Sequence, residues 1–254
     1  MQPIPEAMSS PSRFAIVTSQ RTGSTLLVRS LDSAQAVFCA GELFHAGQHV
    51  HHREYQYPLR VLGSVKAGKV VDAFLQNQRV ERHLDRFFSE AGSGVDAVGF
   101  KLMVSQCRHF PRVLPHMREI GVKCLYLHRR DTFSTALSYY KAQKSGLYHS
   151  DRLPKSGRPL SIEADASAFE QLLETCRNDK KTLLELQHSF GGALLSYEDM
   201  IENWDQFISK IGSEIGLPDL RVPKALKKVG TRTDVVSITN EDWLRARYSE
   251  SSRE

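Results

Sequence analysis

The chain has 254 residues, 41% of them hydrophobic, enough for one large α/β unit or two small ones. Its net charge of +5 suits an anionic ligand, but Lys and Arg are scattered rather than gathered in runs, so nucleic-acid binding is not required. No stretch approaches about 18 consecutive apolar residues, which excludes a membrane-spanning helix.

Residues 1–12, "MQPIPEAMSSPS", lack the apolar core of a signal peptide and read as a disordered polar leader. Residues 13–254 are then expected to form one domain, in the cytoplasm. Phe14 to Val17 is a short apolar run that predicts a buried strand. A polar turn, Ser19 to Gly23, follows it, and Ser24-Thr25 opens the helical pattern "STLLVRSL". A Gly-containing loop between a strand and a helix N-terminus gathers free N–H groups and the positive end of the helix dipole at one place. Arg21 adds a fixed charge there, and Ser24 and Thr25 add hydroxyls. The loop is not the nucleoside-triphosphate pattern G-x-x-x-x-G-K-[ST]. Thr18 stands at the first Gly of that pattern and Ser24 at the Lys, which disfavours an ordinary ATPase or GTPase. A tight turn without a ligand is the plainer alternative.

Next come the apolar run Ala36 to Ala40 and the segment "GELFH". Residues 45–60 are rich in His and Tyr without helical period and read as a loop. The spacing of His45, His49, His51 and His52 matches no zinc pattern, so no metal is expected. Over residues 69–90, Val70, Val71, Phe74, Val80, Leu84, Phe87 and Phe88 share a helical face. Residues 97–103, "AVGFKLM", predict a strand. Pro111 and Pro115 keep any helix over 109–119 short or broken. Residues 123–128, "KCLYLH", predict a second strand, leading through Arg129-Arg130-Asp131 into a helix that reaches Lys144. Residues 145–164 read as a surface loop, 166–188 as a long helix, and "GALLSYED" as a further strand. A last helix carries Ile201, Trp204, Phe207, Ile208 and Ile211 in period. Strands alternating with helices imply an α/β fold with a central parallel sheet flanked by helices, and ligands at the carboxyl ends of the strands. Cys39, Cys107, Cys124 and Cys176 show no paired spacing and are expected to be reduced core thiols.

Arg129 ends a strand and Ser138 lies nine residues on, one helical stretch away. The two can converge on a second phosphate. They can equally be a surface Arg pair facing Asp131 and an ordinary helix Ser.

Taken together, "SQRTGSTLL", "CLYLHRRDTFSTALSYY" and "LLSYEDMIENWDQFISKIGSEIGLP" resemble, in order and spacing, the sulfotransferases that use 3′-phosphoadenosine 5′-phosphosulfate (PAPS). "GELFH", "GFKLMVSQ" and "ALSYYKAQKSGLYH" are similar to the bacterial carbohydrate branch, the nodulation-factor and trehalose sulfotransferase kind. "GTRTDVVSITNEDW" is similar to that branch more weakly. The resemblance implies a P-loop-like three-layer fold and PAPS as co-substrate, with no metal. It places Arg21, Thr22, Gly23, Ser24 and Thr25 on the 5′-phosphosulfate, and Arg129 and Ser138 on the 3′-phosphate. The spacing usual in the family suits Arg130 instead; strand alignment favours Arg129. Arg21 and Lys101 would stabilise the leaving phosphate. Animal cytosolic relatives place a catalytic His where this chain has Met103. That departure turns the base role to Glu42, with His45 as the alternative and a capping or salt-bridging Glu as the plainer reading. Tyr139, Tyr140, Gln143 and Tyr148 would face the acceptor or simply pack. The implied reaction moves a sulfuryl group to a hydroxyl, less readily an amine, of a small molecule or carbohydrate. A non-catalytic nucleotide-binding relative and an ATP-dependent phosphotransferase are the competing readings. The resemblance also allows a homodimer.

Overall fold

The structure is a computed structural model and describes residues 10–45, 52–58, 69–146, 160–224 and 236–248, with the backbone alone at 69–74. At its centre is β1 (Ser12–Thr18), which begins within the expected leader; residues 1–9 lie outside the described residues. Phe14, Ala15, Ile16 and Val17 are all fully buried. A strand covered on both faces needs an unbroken apolar run rather than an alternating one, which is why this segment reads as it does. It lies in a five-stranded parallel sheet ordered β2-β3-β1-β4-β6. The other strands are β2 (Val37–Glu42), β3 (Ala97–Met103), β4 (Lys123–His128) and β6 (Ala193–Ser196). β3 and β4 have the bounds that their apolar runs predict.

The two faces of the sheet bury different helices. Ala15, Val17, Phe100, Leu102 and Tyr126 pack against α2 (Lys69–Glu90), α3 (Val104–His109), α4 (Val113–Glu119) and Leu183 of α6 (Ala166–Phe190). Phe14, Ile16, Leu125 and Leu127 pack against α1 (Ser24–Asp32), α7 (Tyr197–Glu202) and α8 (Trp204–Ile215). This is the three-layer α/β arrangement expected. A third cluster joins α5 (Thr132–Ser145) to α6 through Phe133, Tyr140, Phe169 and Leu173. The chain leaves β1 toward β2 on one side and reaches β4 on the other. The order therefore reverses at the carboxyl end of β1, where open α/β sheets form their crevices.

Three local expectations are corrected. "GALLSYED" is strand only to Ser196, because the Ser196 hydroxyl accepts from the Asp199 N–H at 3.1 Å and caps α7. Within 145–164, Leu160–Ile162 forms β5, paired in parallel with β7 (Val236–Ile238), which precedes α9 (Glu241–Tyr248). The expected last helix is broken at Asn203 into α7 and α8. Helix α3 starts directly after β3. All four cysteines are free, and burial pushes the Cys107 and Cys176 thiols up to about 12.

His83 of α2 is 6% exposed, beside Phe44 and Tyr57 with ring centroids at 5.8 and 5.2 Å. Its Nε2 has no hydrogen-bond partner among the described residues. Burial, helped by the charge of Arg86, lowers its pKa to about 4. The unfolded chain takes up this proton near pH ~6.5, so stability is lost as pH falls from there toward 4, by at most about 3 kcal/mol. Urea titrations at pH 7 and 4.5 should show the loss, and His83→Gln should flatten it.

Candidate active site

The loop after β1 is held from below. Thr18 Oγ1 donates to the Leu127 carbonyl of β4 at 2.9 Å and lies 2.6 Å from Thr22 Oγ1. Thr22 is 1% exposed, so its hydroxyl serves the loop's own structure. Arg21 and Gly23 are both left-handed, with φ of 62° and 79°. Successive turns of this kind aim backbone N–H groups into a concavity that accepts anions. Gly23 is required twice over: a Cβ there would also lie 2.7 Å from the Tyr197 ring and 2.8 Å from Met200. Among the described residues no side chain caps α1, and its first turn holds no acidic residue to offset the positive end of the helix dipole. Ser24 and Thr25 stand at that end.

Arg21 Nε donates to Ser138 Oγ at 3.1 Å, which brings the loop and α5 together across 117 residues of chain. The two arginines at the end of β4 part company. Arg130 is drawn onto α7: its guanidinium bonds Ser196 Oγ at 2.8 Å, pairs with Asp199, and lies 3.8 Å from Glu198. Its backbone N–H also donates to Glu198 at 3.0 Å. Arg129 instead lies over the Tyr197 ring, 4.7 Å from its centroid, with Nε buried and without a hydrogen-bond partner among the described residues. It lines a narrow crevice with Ser19, Thr22, His128 and, from α6, Lys180. Burial, aided by Lys180, lowers the His128 pKa, which favours its neutral form. Asp131 caps α5 by accepting from the Ser134 N–H at 2.8 Å. Burial pushes the Asp131 carboxyl upward, but the Ser134 bonds with Arg129 and Arg245 outweigh it and hold it below the usual range.

A second cluster stands on the same edge of the sheet. The β2 register shifts between Ala40 and Glu42, and the bulge sets Glu42 opposite Lys101. Glu42 Oε1 pairs with Lys101 Nζ at 2.8 Å, and Glu42 Oε2 accepts from Gln106 Nε2 at 3.0 Å. Gln106 Oε1 accepts from the Met103 N–H at 2.9 Å. A backbone N–H can only donate, so the Gln106 carboxamide must present its NH₂ to Glu42. Sequence reasoning missed Gln106; its one trace is a Gln at the third position of a helix, where side chains reach back to the cap.

His45 is exposed past β2, its carbonyl accepting from Gln56 at 3.2 Å. His52 faces Asp32 at 3.1 Å and Glu54 at 3.3 Å. His49, His51 and Tyr148 lie outside the described residues. Among those described, no group of three or more His, Cys, Asp or Glu could hold a metal, and no helix is long and apolar enough to cross a membrane. Of the acceptor candidates, Tyr140 is 2% exposed and its hydroxyl accepts from the Asp165 N–H at 3.0 Å, so it packs. Tyr139 is half-buried against the same cluster and Gln143 is exposed.

This architecture is that of the bacterial sulfotransferases. The sulfotransferase of Alicyclobacillus acidocaldarius superposes with a TM-score of 0.52 at 14% identity, over 96% of this chain and 93% of that one. The sulfotransferase domain of the Synechococcus PCC 7002 olefin synthase gives 0.51 at 14% identity, over 98% of each. No curated protein matches the chain significantly. The family model of the Stf0 sulphotransferases matches residues 13–251, and the chain belongs to that family.

The Lys101–Glu42 pair is almost fully desolvated, with side-chain exposures of 11% and 16%. Removing one partner of such a pair strands the other charge, at a cost of about 3 kcal/mol. Lys101→Met should therefore destabilise by that order, and Lys101→Met with Glu42→Leu by distinctly less, as read from urea midpoints in a double-mutant cycle.

Proposed function

We propose that the chain moves a sulfuryl group from PAPS to a hydroxyl, less readily an amine, of a small molecule or carbohydrate, leaving adenosine 3′,5′-bisphosphate (PAP). Family and fold support sulfotransferase activity. The observation that carries the finer reading is the Arg21–Ser138 contact at 3.1 Å, which joins an anion loop to a second anion-binding element. A donor bearing phosphate at both its 5′ and 3′ positions needs two such elements side by side. Arg129 fits the 3′-phosphate, since its buried Nε is otherwise unanswered while the donors of Arg130 are taken up by Ser196 and Asp199.

The residues then divide the work. The loop N–H groups, the α1 N-terminus and the Ser24 and Thr25 hydroxyls hold the 5′-phosphosulfate. Arg129 and Ser138 hold the 3′-phosphate. The acceptor oxygen attacks sulfur in line as the bond from sulfur to the phosphate oxygen breaks, and Arg21 and Lys101 stabilise the charge left on that oxygen. Glu42 takes the acceptor's proton. A carboxylate offers about four acceptor positions, and Lys101 and Gln106 occupy one on each oxygen. Met103 holds the position of the animal-type base, and its side chain cannot take a proton.

Calorimetric titration should show PAP binding at least about tenfold tighter than AMP or ATP, a margin of about 1.4 kcal/mol. Arg129→Ala and Ser138→Ala should lose most of that margin. A preference for ATP would overturn the donor assignment in favour of a phosphotransferase, and PAP binding without turnover of any hydroxyl or amine acceptor would favour a non-catalytic relative. With an acceptor in hand, Glu42→Ala should lower kcat by about 10²–10⁴. Unchanged turnover would remove Glu42 as the base.

A further inference from the structure

Tyr197 is the first residue of α7, immediately after the Ser196 cap at the end of β6. It touches two elements at once. Its ring edge, Cδ2 and Cε2, lies 2.7 and 2.9 Å from where a Cβ on Gly23 would stand. Its face carries the Arg129 guanidinium at 4.7 Å from the ring centroid. On this one helix start the two arginines have different partners: Arg130 has the Glu198 and Asp199 carboxylates and Arg129 has the Tyr197 face, the charge of Arg129 being felt also by Asp131 at the start of α5.

The difference matters chemically. A carboxylate fixes a guanidinium by consuming N–H donors and cancelling its charge. An aromatic face fixes it through the plane of the ion, leaves the in-plane N–H fork available and keeps the charge. Arg129 Nε is buried with no hydrogen-bond partner among the described residues, as a donor kept for a ligand would be.

We infer that Tyr197 is a positioning residue that sets the preference for a 3′-phosphorylated nucleotide, by holding Arg129 in place through its ring face while its edge packs on the Gly23 turn of the anion loop. The inference rests on the proposed role of Arg129 at the 3′-phosphate. Its readout is the ratio of PAP to AMP affinity, since the two ligands differ only in that phosphate.

The test is calorimetric titration of the full chain with PAP and with AMP. Tyr197→Leu keeps bulk against Gly23 but removes the aromatic face. It should weaken PAP about tenfold and AMP less than about threefold, with the melting temperature recorded as a folding control. Tyr197→Phe keeps the face and should preserve the ratio. Arg129→Lys keeps the charge but not the planar stack and should lose the ratio; if Tyr197→Leu does not fold, Tyr197→Phe carries the test, since loss of the ratio there overturns the inference. In an Arg129→Ala background, Tyr197→Leu should change the ratio no further. Equal weakening of PAP and AMP by Tyr197→Leu, or loss of the ratio in Tyr197→Phe, would overturn the inference while leaving the 3′-phosphate role of Arg129 standing. A wild-type chain that binds PAP no better than AMP, or an Arg129→Ala variant that keeps the preference, would instead overturn that role and the inference with it.

Discussion

The hydrogen bond from the Thr18 hydroxyl to the Leu127 carbonyl sets the height of the site. Thr18 is the last residue of a strand buried on both faces, and the bond ties its end to the neighbouring strand just where the polar turn begins. The loop therefore leaves the sheet from a rigid edge. Its two left-handed residues then have little freedom to relax, and α1 starts with its N–H groups aimed back over β1. Most of the groups proposed for ligand binding stand on that edge, and Ser138 meets it from within α5 through Arg21. Arg129 follows β4, Lys101 and Met103 end β3, and Glu42 ends β2.

Charge is handled in three different ways along this edge. Arg130 is neutralised by Asp199 and Glu198 and serves to dock β4 on α7. Lys101 and Glu42 neutralise each other in a nearly dry environment, with Gln106 completing the carboxylate's shell. Arg129 lies on an aromatic face, with Asp131 near enough to feel its charge, and Arg21 bonds the Ser138 hydroxyl. Burying an ion pair such as Lys101–Glu42 is seldom the best use of core volume for stability alone. Its place beside the anion loop agrees with the chemical roles proposed for both residues.

Helix α7 has more influence than its length suggests. Met200 and Tyr197 pack under the loop, Glu198 accepts from the backbone after β4, and Asp199 holds Arg130. It reaches the carboxyl edge because Ser196 ends the last strand of the sheet and caps the helix in the same residue. At the outer side of that strand, Lys210 and Gln187 bond the carbonyls of Leu194 and Gly192, so side chains answer a sheet edge that would otherwise be open to pairing.

The amino-acid sequence by itself determined the layers, and it pointed to the strand ends where the candidate site is proposed. Apolar runs such as 14–17, 97–103 and 123–128 suit strands whose centres are buried on both faces, and the Gly-containing turn before "STLLVRSL" suits the passage from a strand to a helix. Periodicity also marked α2 and α6, because long helices repeat their pattern many times. Where the pattern is short it failed: β5 and β7 have three residues each, α3 has six, and "LLSYED" carries strand-like residues into a helix. Tertiary structure decided which side chains meet. Arg129 and Arg130 are chemically alike in sequence, and only the positions of Tyr197 and Asp199 on a distant helix give them opposite surroundings. Gln106 reaches Glu42 across 64 residues because the bulge in β2 and the abrupt start of α3 bring two strand ends together. Local propensity acts on a residue and its near neighbours, whereas the contacts that tune a charge come from wherever the fold returns the chain.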